Sequence, residues 1–376
     1  MIHFLRRYWV RIVIGAVLLT TVYGTVSVFV IYQTYQREAR IAGKIHDLLG
    51  TADFQFCGPK WIPISIQDKL LFWHRIHRVK LQSNRHPRQQ ISDVDLELLK
   101  DLAQLEEVEI FTKGVTDAGL KQLKDFTKLR RLKLIFTSVT DAGLEHLQGL
   151  TNLKVLHLTH SKVTGSGLKH LRGLTNLEEL DLSGTRVGSN EMEHLTGLTR
   201  LLVLSIDNTR VGDAGMVHLK GLTNLQRLEL NRKQITDVGL EHLQGLTSLE
   251  ELILDDTQVT DAGLNHFKGL TSLTSLSMRN IQVTNVGLEH LQRLTNLERL
   301  ELEKTRITDA GLNHLTSLTK LEYLGLEKTR VTDGGLEQLK WLTSLSQLRL
   351  FRTQTTAEGR ASLGKALAHC EITPDP

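Results

Sequence analysis

The sequence predicts an α/β solenoid, with a parallel sheet on its inner side, helices on its outer side and a transmembrane helix at its N-terminus. Two periodic segments and one apolar run carry that prediction. The segment L-x-x-L-x-L, or its Val and Ile variants, returns every 24 residues at Leu105, Leu129, Leu153, Leu177, Leu201, Leu225, Leu249, Leu273, Leu297, Leu321 and Leu345, without insertion or deletion. Its alternation is that of a strand with one buried face. A segment of the type V-T-D-A-G-L-x-x-L-x-x-L follows each time, as from Val139 to Leu150, and its leucines keep the spacing of one helix face. Self-similarity at this period marks stacked repeats rather than a globule.

Taken in chain order, residues 1–11 are read as a short cytoplasmic N-terminus. Residues 12–32, Ile12 to Tyr32, carry no charge and are long enough to span a bilayer, so a transmembrane signal-anchor is expected there. Arg6, Arg7 and Arg11 precede the run, while Arg37, Arg40 and Lys44 follow it. The positive-inside rule then favours an inside N-terminus and extracytoplasmic repeats. The rival reading is a cleaved signal peptide, against which stand the length of the run and the lack of an A-x-A-like site. Residues 33–64 are expected to form a juxtamembrane stalk, with Ile41, Ile45, Leu48 and Leu49 at helical spacing facing the first repeat.

Residues 65–376 make up the repeat domain with its terminal caps. Leu70, Trp73, Ile76, Val79 and Leu81 hold the phase of Leu123, Phe126, Leu129, Leu132 and Leu134, so 65–81 reads as a degenerate first repeat whose helix is capped by Ser65 with Asp68. Five extra residues before Ile91 give a polar, basic loop around Arg85, His86 and Arg88. After each strand comes a small hydroxyl: Thr137, Ser161, Thr185, Thr209, Thr257, Thr305, Thr329 and Thr353. These are expected to bond the backbone of the turn, which Lys233 and Ile281 at the same position cannot do. Four residues further on stand Asp93, Asp117, Asp141, Gly165, Ser189, Asp213, Asp237, Asp261, Asn285, Asp309 and Asp333. Residue type and place point to helix N-caps, with the carboxylates favoured by the helix dipole. At the far end Arg360 replaces an inward leucine, Ala361 to Ile372 closes the stack, and Pro374 and Pro376 stop further pairing. A single repeat buries too little apolar surface to fold alone, so stability is expected to be cooperative along the array.

These units resemble the leucine-rich repeat superfamily over residues 65–376. The V-T-D-A-G-L segment is similar to the cysteine-containing subtype of F-box proteins, with Thr where that subtype has cysteine, and more similar still to membrane-anchored repeat proteins of planctomycete-type bacteria. The resemblance implies a horseshoe whose concave face binds another protein.

Function classes can be narrowed from the residues themselves. The formal charge of +4 on 376 residues makes no case for nucleic acid. Cys57 and Cys370 are the only cysteines and form neither a disulfide framework nor a metal-ligand spacing. No phosphate-binding loop, nucleophile elbow or HExxH-type pattern is present, so catalytic, cofactor and metal residues, and a small-molecule substrate, are not expected. His146, His170, His194, His218, His242, His266, His290 and His314 recur 24 apart and read as a copied surface column.

Alternate strand residues should point outward on the concave face. Arg78, Glu107 and Arg131, and beside them Lys80, Glu109 and Lys133, suggest cross-strand ion pairs, followed by an acidic middle and a mixed end. Against that polar ground Phe111, Ile135 and Phe136 are expected to project outward, with Val155, His157 and His160 nearby, as a protein-binding hot spot. The expected function is therefore a membrane-anchored module binding an unidentified protein through its concave face. The alternative is a structural spacer or self-associating element of the cell envelope.

Overall fold

One strand per repeat joins a single 14-stranded sheet, in which the order across the sheet is the order along the chain. The computed structural model describes residues 30–48, 51–57, 74–82, 90–231 and 234–373. β1 (Thr51–Phe56) runs antiparallel to β2 (His74–Gln82). From β2 onward, through β3 (Glu107–Phe111), β4 (Arg131–Ile135) and β5 (Val155–His157) to the last strand at Glu371–Thr373, every pairing is parallel. Register follows the repeat: Leu132 faces Leu156, and Leu156 faces Leu180. Equivalent leucines therefore stack, and Leu129, Leu132, Leu134, Val139, Leu144, Leu147 and Leu150 are all fully buried in one continuous core. Strands sit about 4.8 Å apart whereas packed helices need 8–10 Å, so the sheet lines the inside of the curve.

The outer helices are short. Asp141–Leu144 makes one α turn and Glu145–Leu147 continues it as 3-10 helix, whereas Gly165–Leu171 and Asn190–Leu195 are 3-10 throughout. A glycine inside most of these turns weakens the α form, and packing of the leucines rather than propensity holds them.

The aspartate series does not cap these helices. Thr116, Thr140, Thr236, Thr260, Thr284 and Thr332 do so, each hydroxyl accepting the N–H two residues on. The aspartate is the first residue inside the helix, and its carboxylate reaches into the following repeat. Asp117 Oδ1 accepts the Thr140 N–H at 2.7 Å and Oδ2 accepts the Thr140 hydroxyl at 2.6 Å. The same two bonds join Asp93 to Thr116, Asp141 to Thr164, Asp213 to Thr236, Asp237 to Thr260, Asp261 to Thr284, Asp309 to Thr332 and Asp333 to Thr356. A carboxylate that gathers two donors across the repeat boundary is held better than one left to a frayed turn.

That carboxylate also explains the glycine two residues after it. A Cβ on Gly119 would stand 2.5 Å from Asp93 Oδ1, and one on Gly239 2.5 Å from Asp213 Oδ1. One junction inverts the pattern. Gly165 stands in the aspartate place, Gly188 in the threonine place and Glu191 in the glycine place. A Cβ on Gly165 would collide with the Glu191 carboxylate, which fills the space from the other side.

Six of the eight post-strand hydroxyls close the turns, as Thr185 does by donating to the Leu182 carbonyl at 2.6 Å and Thr257 to that of Leu254 at 2.7 Å, whereas the hydroxyls of Thr137 and Ser161 are buried without a partner. Ile281 fills the same place with a buried apolar chain. Four of the eight members of the histidine column are tied into a seam between neighbouring turns, while the Nδ1 of His242 is buried without a partner. Arg172 donates to His194 Nδ1 at 2.6 Å, Gln244 to His266 Nδ1 at 2.6 Å, Gln292 to His314 Nδ1 at 2.8 Å, and Gln148 meets His170 Nδ1.

Both ends are covered. Part of the expected stalk is a helix over 30–47 whose Ile41 and Ile45 enter the core. Glu38 on that helix accepts the Ile76 N–H at 2.7 Å, with Arg75 at 3.9 Å, and burial raises its carboxyl above the usual carboxylate range. The rest of the stalk includes β1, which occupies the sheet edge. At the C-terminus the helix Ala357–Ala366 buries Leu363, and Arg360 turns back to the Thr355 carbonyl at 2.9 Å. No helix among the described residues is long and apolar enough to cross a membrane. Of the expected span Ile12 to Tyr32 all but residues 30–32 lie outside the described residues, as do Ser65, Asp68, Leu70, Trp73, the loop at Arg85 to Arg88, Lys233, Pro374 and Pro376.

Candidate binding surface on the concave face

Three files of alternate strand residues and one file of turn residues face the hollow of the curve. The turn file has a left-handed backbone at every described position from Phe136 on: φ is 57° at Phe136, 55° at His160, 70° at Gly184 and 56° at Arg352. Most places in this file hold small, amide, acidic or long flexible residues, and Phe136 is the bulkiest departure. Its ring is 50 % exposed and stacks on His160, centroids 4.7 Å apart and planes 5° off parallel. The His160 ring in turn lies where a Cβ on Gly184 would have to be. Phe136, His160 and Gly184 thus form a flat ledge at the rim, which the missing side chain of Gly184 makes possible.

Of the other expected hot-spot residues, Phe111 and Ile135 are paired neighbours on β3 and β4, both half-buried, and Lys80 lies 5.1 Å over the Phe111 ring. His157 belongs to a different arrangement. It is turned to acid, with Nε2 2.6 Å from Glu179 Oε1 and Nδ1 4.0 Å from Asp181 Oδ2. Val155 is buried in the sheet. The structure therefore joins Phe111 to Ile135 and Phe136 to His160, and places His157 in the polar ground beside them.

The expected ion pairing is present, with a diagonal twist. Arg78 reaches Glu109 at 2.9 Å and Glu107 at 3.5 Å, which leaves Lys80 to the Phe111 ring instead of to Glu109. In the middle, Arg227 bridges Glu229 at 2.6 Å and Glu251 at 2.5 Å. Asp207 accepts the Asn231 N–H at 2.8 Å and its side-chain amide at 2.7 Å, while burial, reinforced by Glu229 and Asp181, pushes its carboxyl to about 6.

Further along, Asp255 accepts Ser277 Oγ at 2.7 Å and Arg279 Nε at 2.7 Å, and Arg279 also meets Glu301 at 3.2 Å. Arg299 completes the chain, 2.5 Å from Glu301 and 3.7 Å over the Tyr323 ring. Next to this saturated network stands Glu303, only 9 % exposed, whose Oε2 has no hydrogen-bond partner. Its carboxylate leans over Gly325, the one glycine in the middle file, where a Cβ would collide with Oε1. Burial is the main cause that lifts the Glu303 carboxyl to about 7; Glu301 and Glu327 add to it, and its own N–H and Arg279 oppose it. Neither residue stood out in the sequence. The available signal was a glycine in a file otherwise filled with side chains.

Among the described residues no three His, Cys, Asp or Glu side chains converge as metal ligands. Burial pushes the Cys370 thiol up to about 11, far from the range of a nucleophilic thiolate.

No curated protein matches the chain. Among solved structures it is similar to an internalin, inlF, of Listeria monocytogenes, with 21 % identity, 83 % of this chain and 92 % of that one covered, and a TM-score of 0.60. It is also similar to the TLR13 chain of a TLR13–ssRNA complex, with 20 % identity, 80 % of this chain and 43 % of that one covered, and a TM-score of 0.53. Both likenesses concern the fold. The model of the leucine-rich repeat region family matches residues 104–363, and the chain accordingly belongs to that family.

Proposed function

We propose that this chain is a non-catalytic interaction module that binds a protein partner through its concave face. Extended concave surfaces are what repeat solenoids offer to partners. The observation that carries the proposal is the Phe136 ledge: a half-exposed ring on a left-handed backbone, stacked on His160 and flanked by Phe111 and Ile135. Exposed aromatic anchors set in polar ground dominate the energetics of protein interfaces. The apolar run Ile12 to Tyr32 with its preceding arginines supports attachment to a membrane with the repeats outside the cytoplasm.

The test compares the full chain with Phe136→Ala. Capture of a partner should weaken by about 2 kcal/mol, while the thermal midpoint moves little, because only the stack on His160, worth about 0.5–1.5 kcal/mol, is lost. Equal capture by both proteins would remove the ledge from the interface. Detergent, and not carbonate, should release the chain from membranes if the anchor is present.

A further inference from the structure

We propose that the side of the solenoid on which its strands begin lies against a bilayer surface that carries anionic phospholipid. This rests on the membrane attachment proposed above, and it adds how the repeats are set on the membrane: one side down, with the concave face opening sideways.

The first observation is charge. The turn from each helix to the next strand presents the residues five, four, two and one places before the opening leucine of L-x-x-L-x-L. Along the array these places hold ten bases and two acids, Asp101 and Asp125, whereas the whole chain has a formal charge of only +4. Lys100, Lys124, Arg172, Lys220, Lys268 and Lys340 make one row, and Lys128, Arg200 and Lys320 another. The second row bonds neutral amides, those of Gln104, Asn176 and Asn296, at 2.6, 2.7 and 2.8 Å, which leaves its charge uncancelled. In the first, Lys100, Arg172 and Lys340 each meet a glutamate of the helical edge, in exposed pairs of a kind that holds weakly. The opposite side carries both signs, since Arg210, Arg306 and Arg330 each stand three residues before a clamping aspartate.

The second observation is where the apolar run meets the repeats. Arg75, near the start of β2, donates to the Ile31 carbonyl at 3.4 Å, and Arg37 reaches Asp101 at 2.5 Å. The described end of the run Ile12 to Tyr32 therefore lies on the strand-start side. Lys100, next to Asp101, lines a cleft of about 670 Å³ together with Lys121, Lys124 and Lys128, against two acids, and the half-buried Phe126. Four ammonium groups around one cleft suit the phosphate of a lipid headgroup.

The third is Trp341, 73 % exposed, which takes the place of Asp125 nine repeats further on. Glycine fills that place in six repeats, so the fold needs no ring there, and tryptophan settles at the headgroup level of a bilayer. A stack that curves toward its sheet meets a flat surface at one point with its outside and nowhere with its hollow, whereas a side can follow it over many repeats. The Phe136 ledge comes after the end of β4, on the far rim, and stays open to a protein partner.

The experiment mixes the full chain with vesicles of phosphatidylcholine, alone or with about three parts in ten of phosphatidylglycerol. Carbonate-resistant flotation reads the anchor. Quenching of tryptophan fluorescence by brominated lipid, taken as the difference between wild type and Trp341→Phe, reads the contact of the side. The Trp341 contribution should be quenched on anionic vesicles, and should fade on neutral ones and between about 0.05 M and about 0.5 M salt. Combined Lys124→Glu, Lys128→Glu and Lys220→Glu should weaken the contact by about tenfold or more and leave the urea midpoint near that of the wild type, because all three side chains are exposed. Combined Arg210→Glu and Arg306→Glu should leave the contact unchanged. A chain that resists carbonate while Trp341 is not quenched, or is quenched equally on neutral lipid, overturns the proposal and spares the anchor. A chain released by carbonate while Trp341 is quenched in low salt sinks the anchor and supports the side. Loss of the contact to equimolar polyglutamate would overturn the proposal too, by assigning this side to an acidic polypeptide.

Discussion

At the scale of single residues, the unit T-D-x-G is a two-repeat device whose parts are read correctly only together. Threonine caps its own helix, aspartate clamps the next threonine, and glycine leaves room for the previous aspartate. Asp237→Ala should therefore cost about 1–3 kcal/mol, since it strands the Thr260 N–H and hydroxyl at a repeat boundary. Urea unfolding would show it, and an unchanged midpoint would reduce the clamp to a surface contact. The inverted junction offers a sharper test. Gly165→Asp alone should destabilise by driving a carboxylate into Glu191, and adding Glu191→Gly should restore most of the loss; strictly additive effects would mean that the two positions do not share the space. The sequence displayed the period, but it could not tell that the aspartate reaches forward a full repeat, because spacing alone is equally satisfied by capping. Asp207 makes a further prediction. Its folded value lies above its unfolded one, so its contribution to stability is present at low pH and is lost as pH rises through about 6. Asp207→Asn should raise the urea midpoint more at about pH 7.5 than at about pH 4.5.

At the scale of elements, the two flanks of the solenoid are held by polar ladders that tie neighbouring turns. On one, Asn152, Asn176, Asn224 and Asn296 each donate to the threonine carbonyl of the preceding turn at 2.8–2.9 Å. On the other runs the histidine seam. Because Arg172 has only protons to give, His194 must present a bare Nδ1, and burial together with that arginine lowers its pKa from the ordinary value. The unfolded chain then binds more protons just below about pH 6.5, so stability is present above that value and is lost as pH falls from it. Urea midpoints at about pH 7.5 and about pH 5.5 should differ less in His194→Gln than in the wild type; an equal difference would place the acid sensitivity elsewhere. The column was visible as a period of 24, whereas its role depended on which atom lies opposite. Strands and helices were legible for the same reason that the core is, since each leucine repeats the demand of the last. The strand at Thr51–Phe56 was not, because a single edge strand has no repeat to announce it.

At the scale of the whole molecule, a repeat contacts only its neighbours, so what matters is whether each junction is matched on both sides. This gives a prediction that treats two deletions of equal length differently. Removing residues 249–272, one full period, brings Asp237 against Thr284 and Gly287, a threonine and a glycine of the same kind as the Thr260 and Gly263 it normally meets. Removing residues 177–200, also one period, brings Gly165 against Gly212 and Gly215. No carboxylate then reaches across; the Gly212 N–H loses the Ser189 hydroxyl that accepts it at 2.9 Å, and the space filled by Glu191 is left empty. The same cut sets His160 beside Asn208 instead of Gly184, so the ring loses the bare position it lies over. Both shortened chains have one repeat fewer and lose a similar amount of leucine core, so the area term nearly cancels between them. The first should unfold in a single transition close to the wild type, and the second at clearly lower urea or in two steps with a break at the new junction. If the two behave alike, stacking of leucines alone decides the stability of this array, and the T-D-x-G interlock is ornament.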